Sequence, residues 1–227
     1  MTQHQCYISD TYCFHLVSSV LVMGNDEYGH WIALEKNIFH PQGGGQPADS
    51  GWVNNVPVKV KRQPSGLIVL YPEKTLDVVL GEKVEASVSQ SERLLNTALH
   101  SAGHLLNWEL RRYGWLAKTG HHFPGESRVE FTAMGSDTVP VSELPLVGIE
   151  TSMQEKIKAN LPVKTWIENE IRFCLIEGTE AMPCAGTHVK TLGSIVEFSI
   201  KAVKLKKSTL RISYDAIHGD LRSDYVE

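Results

Sequence analysis

The chain has 227 residues, 42% apolar and 21% charged, with a formal net charge of −4. This is an ordinary globular composition, with core enough for one large or two small domains. It argues against a strongly basic nucleic-acid binder and leaves a local basic patch open.

In chain order, residues 12–23 (YCFHLVSSVLVM) and 28–39 (YGHWIALEKNIF) read as strands around the turn signal Gly24-Asn25-Asp26. The segment FHPQGGGQPADSG, residues 39–51, follows. Three consecutive glycines cannot hold a helix or strand, and they let another group approach the backbone closely. Residues 52–60, 66–71 and 75–88 continue the strand-and-turn pattern, punctuated by Asn54-Asn55, Pro64-Ser65-Gly66 and Gly81. Short strands at this spacing predict a small β-barrel-like domain over residues 1–88.

A second domain, 89–227, opens with a helix over 89–113. Ser89 and Glu92 form a capping-box signal, Leu95, Ala98, Leu99, Ala102, Leu106 and Leu110 recur at helical spacing, and Gly114 stands where a C-terminal cap belongs. Residues 120–125 (GHHFPG) read as a loop, Ser127–Thr132 as a short strand, and 140–159 as an acidic start followed by helical spacing at Leu146, Ile149, Met153 and Ile157. Residues 162–177 fit helix or strand, while 194–205 and 208–214 predict a closing hairpin. The fold class is α+β, a barrel-like domain followed by a two-layer α/β domain.

Cys6, Cys13, Cys174 and Cys184 are too few and too scattered for a disulfide framework, which points to a reducing cytosol. No apolar run approaches the roughly 18 residues a membrane span needs. The opening MTQHQCYISD lacks the basic start and apolar core of a signal peptide. The expectation is a cytoplasmic protein without a membrane partner.

The chemistry concentrates in two pairs. His100 and His104 lie one turn apart on the predicted helix, close enough to share an ion. Cys184 and His188 follow in the loop Pro183-Cys184-Ala185-Gly186-Thr187-His188. Together they form a nitrogen and sulfur set that suits Zn2+. The bland alternative is a pair of surface or core histidines, a free cysteine and a loop histidine. The metalloprotease pattern H-E-x-x-H is absent, because residues 101–103 are Ser-Ala-Gly, and four protein ligands could equally close a structural site. The glycine-rich segment matches neither a Walker motif nor G-x-G-x-x-G. It is either a sharp turn or a loop whose backbone N–H groups meet a ligand, with Gln46 as donor and acceptor. The segment 118–122 (KTGHH) follows the metal helix closely and is dense in groups that can bond a hydroxyl. Clusters at Lys59, Lys61 and Arg62, at Arg111, Arg112 and Lys118, and from Lys201 to Arg211 matter only if they converge.

Three motifs thus line up in order: FHPQGGGQPADSG, the H-x-x-x-H helix and PCAGTHVKTLGSI. The combination resembles the editing domain of alanyl-tRNA synthetase and its freestanding relatives, the alanyl-tRNA editing proteins of the AlaX family. The resemblance covers about residues 12–214. Two positions depart from the family pattern: the usual C-G-G-T-H has Ala185 here, and the usual F-Y-P has His40. The resemblance implies zinc-dependent hydrolysis of the ester joining a wrong amino acid to tRNA(Ala), chiefly Ser-tRNA(Ala) and in some members Gly-tRNA(Ala). It implies His100, His104, Cys184 and His188 as zinc ligands and catalytic centre. It also implies an amino-acid pocket drawing a polar side chain from Thr119 to His122. Thr119, His121, His122, Gln46, Gly43, Gly44, Gly45 and Thr187 are the substrate-binding candidates, and the acceptor end of tRNA(Ala) is the partner. The alternatives are a deacylase of another aminoacyl-tRNA or small ester, and a non-catalytic RNA-binding module with structural zinc.

Overall fold

The computed structural model describes residues 2–221, so residues 222–227 of the expected second domain lie outside the described part. The chain forms two compact units, residues 2–43 with 47–93, and residues 44–46 with 94–221.

In the first unit, β1 (His4–Gln5) leads into the single turn α1 (Cys6–Ser9). Strands β2 (His15–Asp26), β3 (Gly29–Leu34), β4 (Lys36–Asn37), β5 (Gly51–Val53), β6 (Val56–Arg62), β7 (Ile68–Pro72) and β8 (Lys83–Val88) follow. Six of them close a barrel in the order β2-β3-β7-β6-β5-β8, while β1 pairs in parallel with β4. The alternation that a half-buried strand requires is plain in β6 and β8. Val58, Val60, Val84, Ala86 and Val88 point inward, and Lys59, Lys61, Lys83 and Glu85 point out. Asn54 and Asn55 both take positive φ (46° and 64°) between β5 and β6, the two-residue turn whose twist matches the strands. The expected strand over 75–88 starts only at Lys83. Its first half is irregular, because Lys74–Asp77 offers no apolar alternation and Gly81 turns at φ 81°.

The barrel unit contains a fully buried arginine. Arg93 Nε donates to Asp49 Oδ1 at 2.9 Å, and Nη2 donates to Asp49 Oδ2 and to the Ile38 carbonyl at 2.7 Å. Nη1 reaches the Thr11 carbonyl at 2.8 Å. The same carboxylate accepts the His40 N–H at 2.5 Å, and the Asp49 N–H returns to the His40 carbonyl at 3.0 Å. This exchange closes the base of the glycine-rich segment. Burial lowers the His40 pKa to about 4, so its ring is neutral, and Nδ1 lies 3.2 Å from the Pro47 carbonyl.

In the second unit, α2 (Gln90–Arg111) contributes its residues from Leu94 onward. It ends three residues before Gly114, whose φ of 79° places it at the C-terminal turn. Next come β9 (Trp115–His121), β10 (Arg128–Ala133), α3 (Leu146–Lys158), β11 (Val163–Glu168), β12 (Ile171–Ile176), β13 (Met182–Pro183), β14 (Ile195–Lys206) and β15 (Thr209–His218). A four-stranded antiparallel sheet runs β14-β15-β10-β9, and a smaller one runs β11-β12-β13. The apolar face of α2 (Ala98, Leu99, Ala102, Leu105, Leu106 and Leu110) packs in one core with Val129, Phe131, Ile212 and Tyr214 of the larger sheet and Ile149 and Met153 of α3. Residues 162–177 form the β11–β12 hairpin, turned at Asn169 and Glu170 with φ of 49° and 64°. The expected loop over 120–125 is shortened, because β9 continues through His121, paired with Arg128. No described helix is long and apolar enough to cross a membrane.

Removing the guanidinium would strand the Asp49 carboxylate and two carbonyls away from water. Arg93→Ala should therefore cost about 3–5 kcal/mol, the range for breaking a buried ion pair from one side. Urea denaturation followed by circular dichroism measures it, and a midpoint equal to wild type would show that water replaces the guanidinium.

Candidate metal centre

Helix α2 carries His100 and His104 on one side, with ring centroids 5.1 Å apart. The chain leaving β13 brings the second pair to the same place. Arg172, on β12, holds that segment by its backbone: the Arg172 carbonyl accepts the Cys184 N–H at 2.9 Å, and Nη1 donates to the carbonyls of Cys184 (3.1 Å) and Gly186 (2.7 Å). Cys184 Sγ then lies 3.3 Å from His100 Nε2 and 3.2 Å from His188 Nε2. One ligand atom from each of His100, His104, Cys184 and His188 falls within 4.8 Å of all the others, a set that could hold a metal ion.

The donor geometry fits a tetrahedral ion. Bonds of about 2.3 Å to sulfur and 2.0–2.1 Å to nitrogen put those two donors about 3.5 Å apart. The surrounding groups fit as well. Gln46 is fully buried. Its Oε1 accepts the Thr187 N–H at 2.9 Å and faces His100 Nδ1 at 2.8 Å. A carbonyl oxygen can only accept, so Nδ1 carries the ring proton and the lone pair falls on Nε2, the side facing Cys184. The other end of the amide donates to Thr187 Oγ1 at 2.9 Å, which lies 2.8 Å from Thr97 Oγ1. Ser101 Oγ sits 3.3 Å from His188 Nδ1 and accepts the Val189 N–H at 3.0 Å. Such partners orient ligating imidazoles and raise their basicity.

Electrostatics favours neutral rings. Burial, helped by the Arg172 charge, lowers the His104 pKa to about 4. Burial pushes the Cys184 thiol up, an effect that a bound cation would reverse.

A cavity of about 680 Å³ opens beside this quartet and reaches His100, His104 and Cys184. Gly44, Gly45, Thr119, His122, Glu170 and Arg172 are among its other walls. The expected substrate-binding residues divide. Gly44, Gly45, Thr119 and His122 line the cavity, whereas Gly43 does not. Gln46 and Thr187 stand behind His100, away from the lining. His121 leaves the cavity because β9 alternates: its ring stacks on Phe123 at 4.2 Å, and Nε2 lies 3.4 Å from Glu126 Oε2. Thr119 leans towards Glu130 Oε2 at 3.4 Å. His122 is buried and stacks on His100, with ring centroids 4.5 Å apart and planes 21° apart. Burial, then the neighbouring His104 and His121, lower its pKa to about 3.

Arg172, Ser101, Thr97 and Tyr214 were not anticipated from the sequence. Arg172 carried a usable signal, an arginine between the apolar residues of a short strand, since a cation there needs buried partners.

No protein-family model matches the chain. It is 29% identical over 212 residues to the alanyl-tRNA editing protein AlaX-M of Pyrococcus horikoshii, covering 90% of this chain and 91% of that protein. It is 29% identical over 243 residues to the alanine–tRNA ligase of Korarchaeum cryptofilum, covering 92% of this chain and 26% of the ligase. Against the alanyl-tRNA editing protein AlaX-L of Pyrococcus horikoshii the identity is 25% over 228 residues, covering 92% of this chain and 56% of that protein. The chain therefore spans nearly all of the first relative, about a quarter of the ligase and about half of the third.

Gln46→Leu deletes the acceptor of His100 Nδ1 and should weaken metal retention about 10- to 100-fold in competition with a chelator. Gln46→Glu keeps an acceptor and should lose less. Equal retention by wild type and Gln46→Leu would show that His100 needs no partner.

Proposed function

Because the chain is AlaX-like across nine-tenths of its length, we propose that it is a trans-editing hydrolase of mischarged tRNA(Ala). Its substrates in this reading are chiefly Ser-tRNA(Ala) and also Gly-tRNA(Ala). The metal is Zn2+, held by His100, His104, Cys184 and His188 at the catalytic centre. The observation that carries the reading is a cavity of small-molecule size lying directly against those four side chains.

The chemical need is clear. A small apolar pocket cannot strongly reject an isostere that merely adds a hydroxyl, so discrimination between alanine and serine by binding stays near 100-fold and a second, hydrolytic site is required. Bound zinc supplies a Lewis acid for an ester carbonyl or a lowered pKa for a water. The chain's own side chains do the rest. Gln46 fixes the His100 tautomer, Ser101 stands against the outer nitrogen of His188, and Arg172 holds the Cys184 loop. Gly44 and Gly45 keep one wall free of side chains, which leaves the terminal adenosine and its amino acid room to approach the metal. The tRNA(Ala) acceptor end is the partner.

Four protein ligands also match a structural zinc, and a non-catalytic RNA-binding module is the competing reading. Half-buried Cys184 and His104 on the cavity wall favour the catalytic one. A panel of misacylated tRNAs, assayed with and without chelator, decides. Elemental analysis should find about one zinc per chain, the number a single tetrahedral site holds. Ser-tRNA(Ala) should be hydrolysed faster than Ala-tRNA(Ala), and Cys184→Ala should lose both metal and activity. Hydrolysis that persists in metal-free protein would remove zinc from the reaction, and no turnover on any misacylated tRNA would refute the enzyme reading.

A further inference from the structure

We propose that His122 Nε2 is the acceptor for the side-chain hydroxyl of a seryl group in the cavity, an inference that rests on the deacylase reading. The chain of hydrogen bonds behind the ring assigns its tautomer. Tyr214 Oη lies 2.8 Å from the Leu99 carbonyl, which can only accept, so the one phenolic proton goes there. The Tyr214 oxygen is left as the acceptor for His122 Nδ1 at 2.6 Å. Nδ1 therefore carries the ring proton, and in the neutral ring the lone pair is on Nε2.

Glycines keep the other edges of this ring clear. A Cβ at Gly120 would stand 2.4 Å from Nε2, one at Gly103 would stand 2.4 Å from Cε1, and one at Gly45 would stand 3.2 Å from Cδ2. All three glycines line the cavity with His122. Neighbouring polar groups are engaged elsewhere. Asn107 Oδ1 accepts the Ala117 N–H at 3.0 Å and its amide nitrogen lies 3.3 Å from the Met182 sulfur. Thr119 leans on Glu130, and Arg172 holds two loop carbonyls. Among the described residues, His122 Nε2 has no protein partner. A seryl hydroxyl can donate to it. An alanyl methyl would leave it unpaired, and sites built around a hydroxyl discriminate strongly against the analogue that lacks one.

Long-range proton–nitrogen spectra of ring-labelled protein should show His122 protonated at Nδ1, and Tyr214→Phe should weaken that preference. Adding 3′-seryl-amino-3′-deoxyadenosine, a non-hydrolysable mimic of the acceptor end, should move the Nε2 resonance, and the 3′-alanyl mimic should not. His122→Phe should lower the ratio of Ser-tRNA(Ala) to Gly-tRNA(Ala) hydrolysis about five- to tenfold, the size of one lost hydrogen bond expressed in the transition state. His122→Gln, which can place a carbonyl oxygen near the lost nitrogen, should recover part of it. A wild-type ring protonated at Nε2, equal responses to the two mimics, or an unchanged ratio in His122→Phe would each overturn the hydroxyl assignment while leaving deacylation standing. Equal losses on both substrates would overturn it as well, since the nitrogen would then meet a group common to both. A wild-type protein that hydrolyses neither tRNA would instead remove the reading beneath it.

Discussion

The second unit depends on one buried carboxamide. Gln46 has no solvent to bond, so both ends of its side chain must find partners within the protein. Oε1 takes the Thr187 N–H and faces His100 Nδ1, and Nε2 donates to Thr187 Oγ1. The amide therefore joins three stretches that are remote in sequence: the glycine-rich tip, helix α2 and the segment between Cys184 and His188. Losing any one of these bonds would leave a buried polar atom unpaired at about 1–3 kcal/mol. The same contacts orient His100, so the requirement to satisfy a buried amide and the requirement to aim a candidate ligand are met by one set of atoms.

A second constraint is steric, and small residues meet it. His100, His104, His122 and His188 crowd together, with several ring centroids under about 5 Å apart. Rings at that separation leave no room for side chains on the adjoining backbone. At Gly186 a Cβ would stand 2.1 Å from His100 Cε1 and 2.9 Å from Gln46 Oε1. At Gly45 a Cβ would meet the Gly120 carbonyl at 2.3 Å, and φ there is 79° as well. The glycine of the Cys184 loop that carries this steric demand is Gly186. Ala185, the neighbouring position where the family pattern has glycine, is exposed and tolerates its methyl.

The readable parts of the sequence were those governed by local periodicity. A spacing of four residues on α2, strict alternation in β6 and β8, and polar two-residue turns such as Asn54-Asn55 report conformation directly. The stretch 162–177 stayed ambiguous because Val163, Trp166, Ile167 and Ile171 satisfy both periods. Pairing with a partner strand settled it, and no single-strand pattern contains that information. The site was legible in its ligands and obscure behind them. Gln46 was taken for a substrate contact because a polar residue beside three glycines looks exposed, yet it is buried. His121 and His122 could not be separated while the segment was taken for a loop. Once β9 runs through His121, alternation sends one ring outward onto Phe123 and the next inward onto His100.

Buried charge is handled the same way in both units, by complete pairing. In the barrel, Arg93 makes its bonds to Asp49 and to two carbonyls. In the second unit, Glu109 on α2 is almost fully buried, with Lys156 Nζ of α3 at 2.7 Å and Arg112 Nη1 at 3.1 Å. An apolar replacement of similar volume can match such clusters in stability, so strength alone does not account for them. They do restrict the alternatives. Helix α3 could slide along an apolar face of α2 at little cost, because leucine and isoleucine contacts are non-directional. It cannot slide while a buried carboxylate must keep one particular ammonium within reach. A site that needs His100 and His104 aimed to within fractions of an ångström gains more from that restriction than from additional apolar area.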